Sequence, residues 1–224
     1  MSEVIKVCAI ADLHGHLPQI EPCQFLLLGG DICPHFANPG SRDDVFGQAR
    51  WLGTVFDDWL NHVPAKHIVA TVGNHDFVFE KHLNLVPTLK WHLLIDRAVT
   101  IEGVKFYGSP HQKRFMDWAF NLDEPQLKEK WRWISDDTDI LVLHGPPQGY
   151  GDFVPTNAKS PNVGEHVGSV SLLERILKIR PKLTIFGHIH NSHGVYEVDG
   201  IKMANVSILD DNYRMVYKPT LFEM

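Results

Sequence analysis

The feature of the sequence that most constrains the fold is a set of five short, continuous apolar runs. They occupy residues 4–12, 24–31, 67–76, 139–145 and 182–188. Uninterrupted runs of this length are typical of strands that are buried on both faces. Two further segments, 42–63 and 169–181, carry apolar residues at helical spacing. Strands that alternate with amphipathic helices predict an α/β fold.

The ends of several elements are also marked in the sequence. Ser169 or Ser171 is suited to cap the start of the second helix, and Pro181 is suited to end it. Near the end of the chain, Asp199-Gly200 separates two alternating segments and predicts a β-hairpin. Residues 213–219 could add a third antiparallel strand. We therefore expect mixed sheets.

Length and composition restrict the class of protein. The 224 residues, 44% hydrophobic and 21% charged, predict one globular domain over residues 1–224. There is no apolar run of about 18 residues, as a membrane span would need, and no secretory signal pattern opens the chain. We therefore expect a cytoplasmic protein without membrane contact. The sequence does not indicate an oligomeric state.

Charge and cysteine content exclude further classes. The net charge is −6 and no run of Lys or Arg occurs, which argues against extended binding of nucleic acid. A small anionic substrate remains compatible with this charge. The three cysteines are odd in number and lack CxxC spacing, which argues against a disulfide framework or a zinc knuckle.

Polar residues follow all five apolar runs. The runs end in Asp12-x-His14, Gly30-Asp31, Gly73-Asn74-His75-Asp76, His144-Gly145 and Gly187-His188-x-His190. Ligand sites in open α/β sheets lie beyond the carboxyl ends of the strands. A single Asp or His after a strand is usually a loop or capping residue, but five such ends in one chain favour a shared site.

This ordered set resembles the calcineurin-like metallophosphoesterases. The resemblance extends over residues 12–190. The segments FYGSPHQ (106–112), HGPPQGYGD (144–152) and RPKLTIFGHIH (180–190) further resemble the metallophosphoesterase-domain-containing proteins, a subgroup with cyclic nucleotide phosphodiesterase activity. The resemblance implies a four-layer sandwich of two mixed β-sheets flanked by α-helices.

The resemblance also implies a centre of two divalent metal ions. By its pattern, Asp12, His14 and His190 would bind one ion, Asn74, His144 and His188 would bind the other, and Asp31 would bridge both. Oxygen and imidazole ligands suit Mn²⁺, which we expect first, and also Fe, Zn²⁺ or Co²⁺. Gly187 would allow the backbone to approach the centre closely.

The implied reaction is hydrolysis of a phosphodiester bond, in small nucleotides or cyclic nucleotides. A metal-bound hydroxide would attack in line, and His75 would assist the leaving group as a general acid or electrostatic stabiliser. Asp31 and His75 are thus the expected catalytic residues. Asp76 is interpreted as a cap of the following helix in preference to a residue that orients a neighbour.

Two loops, 109–121 and 145–169, are the candidates for substrate contact. The first places Lys113 and Arg114 beside aromatic residues, a combination that suits a nucleobase next to a phosphate. Arg114, His111 and the backbone of Gly145 are the expected substrate contacts. His16 and His166 are weaker candidates. For any single aromatic residue of these loops, packing onto the core is the favoured interpretation.

Two alternative functions stay open. A phosphomonoesterase or nucleotide pyrophosphatase would use the same site, because those reactions also displace an oxygen from phosphorus. A non-catalytic scaffold that binds a nucleotide or a protein is disfavoured, because no expected ligand type is missing. A serine/threonine protein phosphatase is also disfavoured, because Pro34 stands where that group of enzymes has an aspartate.

Overall fold

The computed structural model describes residues 4–34, 44–156, 158 and 160–224. The strands are β1 (Lys6–Ile10), β2 (Cys23–Gly29), β3 (Ala65–Thr71), β4 (His92–Leu93), β5 (Arg97–Ile101), β6 (Val104–Ser109), β7 (Gln112–Lys113), β8 (Asn121–Leu122), β9 (Ile140–Leu143), β10 (Leu183–Phe186), β11 (Gly194–Val198), β12 (Ile201–Asn205) and β13 (Thr220–Glu223). The α-helices are α1 (Val45–Trp51), α2 (Asp57–His62), α3 (Phe77–Lys81), α4 (Glu124–Trp131) and α5 (Val170–Ile179). Among the described residues, no helix is both long and apolar enough to cross a lipid bilayer.

The strands form two large sheets and a small one. The first sheet has the order β13-β1-β2-β3-β4, and the second has the order β11-β12-β10-β9-β6-β5. β1 to β4 run parallel and β13 is antiparallel to β1. In the second sheet, β11 and β5 are the antiparallel edge strands. Both sheets are therefore mixed, as expected. β7 and β8 pair separately.

Alternate residues of each inner strand face opposite sides, and this builds three apolar layers. Between the sheets, Ala9, Phe25 and Val69 pack with Val142 and Ile185. On the outer face of the first sheet, the next residues along β1 to β3 pack against α1, α2 and α3. On the outer face of the second sheet, residues of β6, β9, β10 and β12 pack against α4 and α5. The predicted four-layer sandwich of two mixed sheets flanked by helices is confirmed.

The two predicted helices are present. The first runs from Val45 to His62 and is π-helical over Leu52–Phe56, between α1 and α2. Its predicted start at residues 42 and 43 lies outside the described residues. α5 begins after Ser169, whose hydroxyl accepts a hydrogen bond from the Leu172 amide at 3.1 Å. The cap is thus Ser169 and not Ser171. The helix ends at Ile179, and the next residue, Arg180, is in the left-handed conformation directly before Pro181.

The end of the chain differs in part from the prediction. The hairpin at Asp199-Gly200 is confirmed, and it joins β11 to β12. The third strand predicted over residues 213–219 is wrong. Tyr213 has a positive φ, and the amides of Val216 and Tyr217 both donate to the Ile208 carbonyl, so no regular ladder forms. The chain instead crosses to the first sheet, where β13 pairs with β1.

The hairpin turn allows a test of the fold. Gly200 has φ +77°, and a Cβ added there would meet no atom within 4 Å. The substitution Gly200→Ala should therefore destabilise the fold only through the backbone strain of a left-handed alanine. We expect the free energy of unfolding in urea to fall by about 1 kcal/mol.

The matched control is Gly53→Ala, in the exposed π-helical segment. The added methyl would lie 3.5 Å from Pro87, and alanine should raise the free energy of unfolding by about 0.5–1 kcal/mol. Equal stability of the two variants would contradict the turn geometry.

Candidate metal centre

The carboxyl ends of five strands, from both sheets, meet at one place. β1 leads to Asp12 and His14, β2 to Asp31, β3 to Asn74, β9 to His144, and β10 to His188 and His190. These are the residues that the sequence predicts as metal ligands. The sandwich brings all of them together because the two sheets end their parallel strands at the same edge.

The first predicted ligand group is compact. Atoms of Asp12, His14 and His190 that could bind a metal all lie within 4.8 Å of one another. Nε2 of His190 is 3.9 Å from Oδ1 of Asp12. The three side chains are buried. They are therefore close enough to share one ion.

The second predicted group is also compact. Oδ1 of Asn74 lies 2.7 Å from Nε2 of His144 and 2.7 Å from Nδ1 of His188. Asp31 lies between the two groups, with Oδ1 3.5 Å from Nε2 of His144 and Oδ2 3.5 Å from Nε2 of His14. Each carboxylate oxygen thus faces one group, which suits the predicted bridge.

Several of these residues have an unusual backbone conformation. Asp12, His14, Asp31 and His188 have φ values of 56°, 41°, 50° and 72°. The left-handed region costs a residue other than glycine roughly 1–3 kcal/mol and is concentrated at functional sites. Hydrogen bonds hold the turns: the His14 amide donates to the Asp31 carbonyl at 2.8 Å, and the His188 amide donates to both Asp12 carboxylate oxygens at 3.0 Å.

Two glycines make room for the carboxylates. A Cβ added at Gly187 would lie 2.5 Å from Oδ2 of Asp12 and 2.6 Å from Cβ of Ala11. One added at Gly73 would lie 2.3 Å from Oδ1 of Asp31. Side-chain atoms do not approach this closely, so any other residue would displace the carboxylates. The predicted close approach at Gly187 agrees with this geometry.

Hydrogen bonds also fix which imidazole nitrogens face the centre. Nδ1 of His144 donates to the Gly29 carbonyl at 3.0 Å, and Nδ1 of His190 donates to the Asp210 carbonyl at 3.1 Å. The Nε2 atoms are thereby left to bind a metal. Such carbonyl partners commonly orient metal-binding histidines.

The charge balance of the centre is distinctive. Asp12 and Asp31 are 0% and 2% exposed. Burial, followed by the charges of Asp76 and Asp12, raises the pKa of Asp31 well above its usual value. Burial lowers the pKa of His144 and His188, which favours the neutral imidazole that metals bind.

In the described part of the chain, the basic groups paired with these two carboxylates are all imidazoles. Among those described residues, no Lys or Arg therefore balances the buried negative charge. Unpaired buried carboxylates are costly. Divalent cations bound by oxygen and imidazole would balance that charge, so the donor set fits the implied metals.

His75 lies at the edge of this centre. Its Nε2 is 3.9 Å from Oδ2 of Asp31, and its ring centroid is 3.9 Å from that of Trp118. The backbone is held on both sides, because its amide donates to Asp31 at 2.8 Å and its carbonyl accepts from Gln48 at 2.7 Å. The imidazole is thus held at the opening of the centre.

Asp76 acts differently from the favoured prediction of a helix cap. Its side chain makes no capping hydrogen bond to α3. The buried carboxylate instead accepts from the amides of Ile32, Cys33 and Gly73, at 2.8–3.1 Å. It therefore ties the loop after Asp31 to the loop that carries the Asn74–His75 segment. The alternative interpretation, a residue that orients its neighbours, fits this geometry.

Sequence reasoning missed two supporting residues. Gln48 is 3% exposed and spans from the His75 carbonyl to the Val78 amide. A polar residue on the apolar face of the first helix was the available signal. The ring of Tyr213 packs edge-on against His14 and His190, with centroid distances of 4.9 and 5.3 Å. No local pattern marks Tyr213, because the contact depends on the path of the final segment.

A pocket of about 630 Å³ opens from the metal centre. It runs from Asp31, Asn74 and His75 to both candidate loops and to residues 211–213. Of the predicted substrate contacts, Arg114 and Gly145 line it, and the Arg114 guanidinium also pairs with Asp123 at 2.8 Å. The weaker candidate His16 contacts the Tyr213 carbonyl at 3.1 Å.

His111 also lines the pocket, but both of its ring nitrogens are engaged by the protein. One is 3.0 Å from the Asp96 carboxylate and the other is 3.1 Å from the Phe120 carbonyl. Asp96 further accepts from Ser109 and Lys130. Burial alone would raise the pKa of Asp96, but these partners outweigh it and lower the pKa to about 2. The ring of His111 therefore holds the first loop in place through its bonds to Asp96 and Phe120.

Comparison with known sequences identifies the family. The family model of the calcineurin-like phosphoesterases matches residues 5–192. Metallophosphoesterase domain-containing protein 1, of human and of mouse, is 32% identical over 196 residues, which cover 75% of this chain and 58% of each relative. A UPF0046 protein of Caenorhabditis elegans is 27% identical over 241 residues, covering 98% of this chain and 81% of its own. The chain thus spans less than two thirds of the mammalian relatives.

Solved structures show the same fold. The protein TT1561 of Thermus thermophilus aligns with a TM-score of 0.54 and 13% identity, over 99% of both chains. The phosphopantetheinyl hydrolase PptH of Mycobacterium tuberculosis aligns with a TM-score of 0.53 and 13% identity, over 91% of this chain and 89% of its own. At this identity the likeness concerns the fold alone. The family match over most of the sequence shows that this chain belongs to the calcineurin-like phosphoesterases, with relatives among the metallophosphoesterase-domain-containing proteins.

Proposed function

We propose that this protein is a metal-dependent phosphoesterase that hydrolyses phosphodiester bonds in small nucleotides or cyclic nucleotides. The observation that carries the proposal is the meeting of two buried carboxylates, an amide oxygen and four imidazoles, without a Lys or Arg partner for the carboxylates in the described part of the chain. A cytoplasmic location remains part of the same proposal.

The ligand assignment follows the two compact groups. Asp12, His14 and His190 would hold one ion, Asn74, His144 and His188 would hold the other, and Asp31 would hold both. When bound, two such ions, Mn²⁺ by our expectation, would neutralise phosphate charge and lower the pKa of a coordinated water. The rings of His144 and His190 are oriented by the carbonyls of Gly29 and Asp210, respectively.

His75 is the proposed proton donor to the leaving group. Its ring lies between Asp31 and Trp118 at the start of the pocket, where an ester oxygen could reach it. As the bond from phosphorus to the leaving oxygen breaks, the protonated imidazole would give its proton to that oxygen. General acid catalysis of this kind contributes roughly 10²–10⁴ in rate.

The pocket supports a substrate that is larger than phosphate. Its volume, about 630 Å³, lies within the range of sites for small organic ligands. Phe115 and Trp118 line it together with Lys113 and Arg114. Aromatic rings beside basic groups suit a nucleobase attached to phosphate. A diester, with an organic group on each side of phosphorus, would use this room better than a monoester.

The direct test compares bis(p-nitrophenyl) phosphate with p-nitrophenyl phosphate, on metal-stripped protein with Mn²⁺ added back. We expect a higher kcat/KM for the diester. Preference for the monoester would instead support the phosphomonoesterase alternative. The absence of turnover with both esters, and with a panel of cyclic nucleotides, would contradict the proposed function.

The role of His75 predicts a leaving-group effect. In His75→Ala, kcat for a cyclic nucleotide should fall by about 10²–10⁴, because its alkoxide needs a proton. The loss should be smaller for bis(p-nitrophenyl) phosphate, whose nitrophenolate leaves without one. His62→Ala, on the exposed surface of α2, is the control and should leave both rates unchanged. Equal losses with the two substrates would argue for electrostatic stabilisation instead of proton transfer.

Gly187 gives a test of the ligand geometry. The methyl of Gly187→Ala would displace the Asp12 carboxylate, so we expect at least one bound metal to be lost or weakened about tenfold or more, by analogy with other changes that misplace ligands. Gly53→Ala is the matched control, because its nearest contact would be Pro87 at 3.5 Å, an ordinary van der Waals distance. Metal content after dialysis against Mn²⁺ measures both. Retention of full metal content in Gly187→Ala would show that Asp12 does not need this space.

A further inference from the structure

The second candidate loop contains a paired carboxylate and imidazole that the proposed reaction does not use. Oδ1 of Asp152 lies 2.6 Å from Nδ1 of His166. The Asp152 side chain is fully buried, whereas that of His166 is 47% exposed. His166 lines the same pocket as the metal centre. The buried carboxylate of Asp152 therefore orients the imidazole of His166, which lies at the pocket wall.

Backbone amides hold the Asp152 side chain in place. Oδ2 of Asp152 accepts from the amides of Gly149 and Gly168, at 3.0 and 2.9 Å, and the Asp152 carbonyl accepts from Val167 at 3.1 Å. Together with Nδ1 of His166, the two amides of Gly149 and Gly168 give the carboxylate three hydrogen-bond donors. Because the amides of Gly149 and Gly168 hold the Asp152 carboxylate in place, the imidazole of His166 that is hydrogen-bonded to it is also restricted.

The loop around the pair is fixed as well. Phe153 and His166 face each other in an antiparallel bridge, and their rings lie 5.3 Å apart. The Phe153 carbonyl accepts from the hydroxyl of Ser192, two residues beyond the proposed ligand His190. The wall that carries His166 is therefore attached to the segment that carries a predicted metal ligand.

The orientation of the His166 ring leaves one nitrogen for a ligand. Nδ1 is engaged, because it donates to Asp152. The second ring nitrogen, Nε2, makes no hydrogen bond with a described residue. If both nitrogens donate, the imidazolium lies between the Asp152 carboxylate and whatever accepts at Nε2. Such charge-assisted hydrogen bonds are stronger than neutral ones.

The charges of the pocket wall favour an anion at that position. Away from the candidate metal centre, the basic residues that line the described pocket wall are His111, Lys113, Arg114 and His166. Both ring nitrogens of His111 are engaged by Asp96 and Phe120, and Arg114 also pairs with Asp123. The acidic residues there are Glu165 and Asp211, and the Asp211 carboxylate accepts from the Asn191 side chain. An anionic group in the pocket could accept a hydrogen bond from His166 and would be attracted by the positive charges of Lys113 and Arg114 in the first loop.

We propose that His166, oriented by Asp152, binds a second anionic group of the substrate, a carboxylate or phosphate that the reaction leaves intact. The inference rests on the proposed function, because it assigns part of the same pocket. The substrate class becomes a phosphodiester that carries a further negative charge on one of its organic groups.

The test uses competitive inhibition of bis(p-nitrophenyl) phosphate hydrolysis by phosphonates. One series carries a terminal carboxylate (phosphonoacetate, 3-phosphonopropionate, 4-phosphonobutyrate, 6-phosphonohexanoate), and the matched series carries a methyl group in its place. In the wild type, we expect the carboxylate to lower Ki about tenfold for at least one chain length. In His166→Phe, which keeps an aromatic ring beside Phe153, this gain should disappear, so that the carboxylate and methyl series inhibit with about equal Ki.

His62→Phe is the control variant, because His62 lies on the exposed surface of α2 and does not line the pocket. It should keep the full gain. Turnover of the diester without any carboxylate gain in the wild type, or a gain that His166→Phe retains, would overturn the inference alone. The absence of wild-type turnover with this diester, with the monoester and with the cyclic nucleotides would overturn the proposed function and the inference with it.

Discussion

Asp12 and Asp31 are buried side by side where the strands of the two sheets end. Two carboxylates removed from water repel each other, and each must be stabilised by donors or by positive charge. Here the backbone amides of His75 and His188 donate to them, and the nearby basic groups are imidazoles. Two of those imidazoles, of His144 and His188, have pKa values lowered by burial. Divalent cations would supply the charge that the described side chains do not.

The scaffold can be understood as the means of holding these carboxylates. Strands of two sheets deliver the side chains to a common edge, and left-handed residues after the strands turn them inward at a local cost. Gly73 and Gly187 keep the space that the carboxylates occupy. Asp76 joins the loops that follow β2 and β3, so that Asp31 and Asn74 are positioned together. Apolar layers on both faces of each sheet supply the stability that such a strained and charged centre requires.

Much of this was predictable from the sequence, for a physical reason. Strands buried on both faces must be continuously apolar, so β1, β2, β3, β9 and β10 are visible as runs, and the polar residues that follow them mark the shared edge. Structure that depends on distant partners was not visible. β13 forms by pairing with β1, at the other end of the chain. β7 and β8 pair over only two residues each, which is too short to give a sequence pattern. Asp76 and Tyr213 act through contacts between segments far apart in the chain, which local patterns do not record. Gln48 is marked as a polar residue on an apolar helix face, but that pattern does not identify its partner, the His75 carbonyl.

The proposed role of Asp31, as a ligand shared by two metal sites, can be tested by counting bound metal ions. Elemental analysis should be made on wild type and on Asp31→Asn, each dialysed against Mn²⁺ and then against buffer without metal. We expect two ions per wild-type chain and fewer in the variant, because the amide removes the charge and one ligand oxygen that the two groups share. One ion or none in the wild type, or two ions in both proteins, would contradict this role.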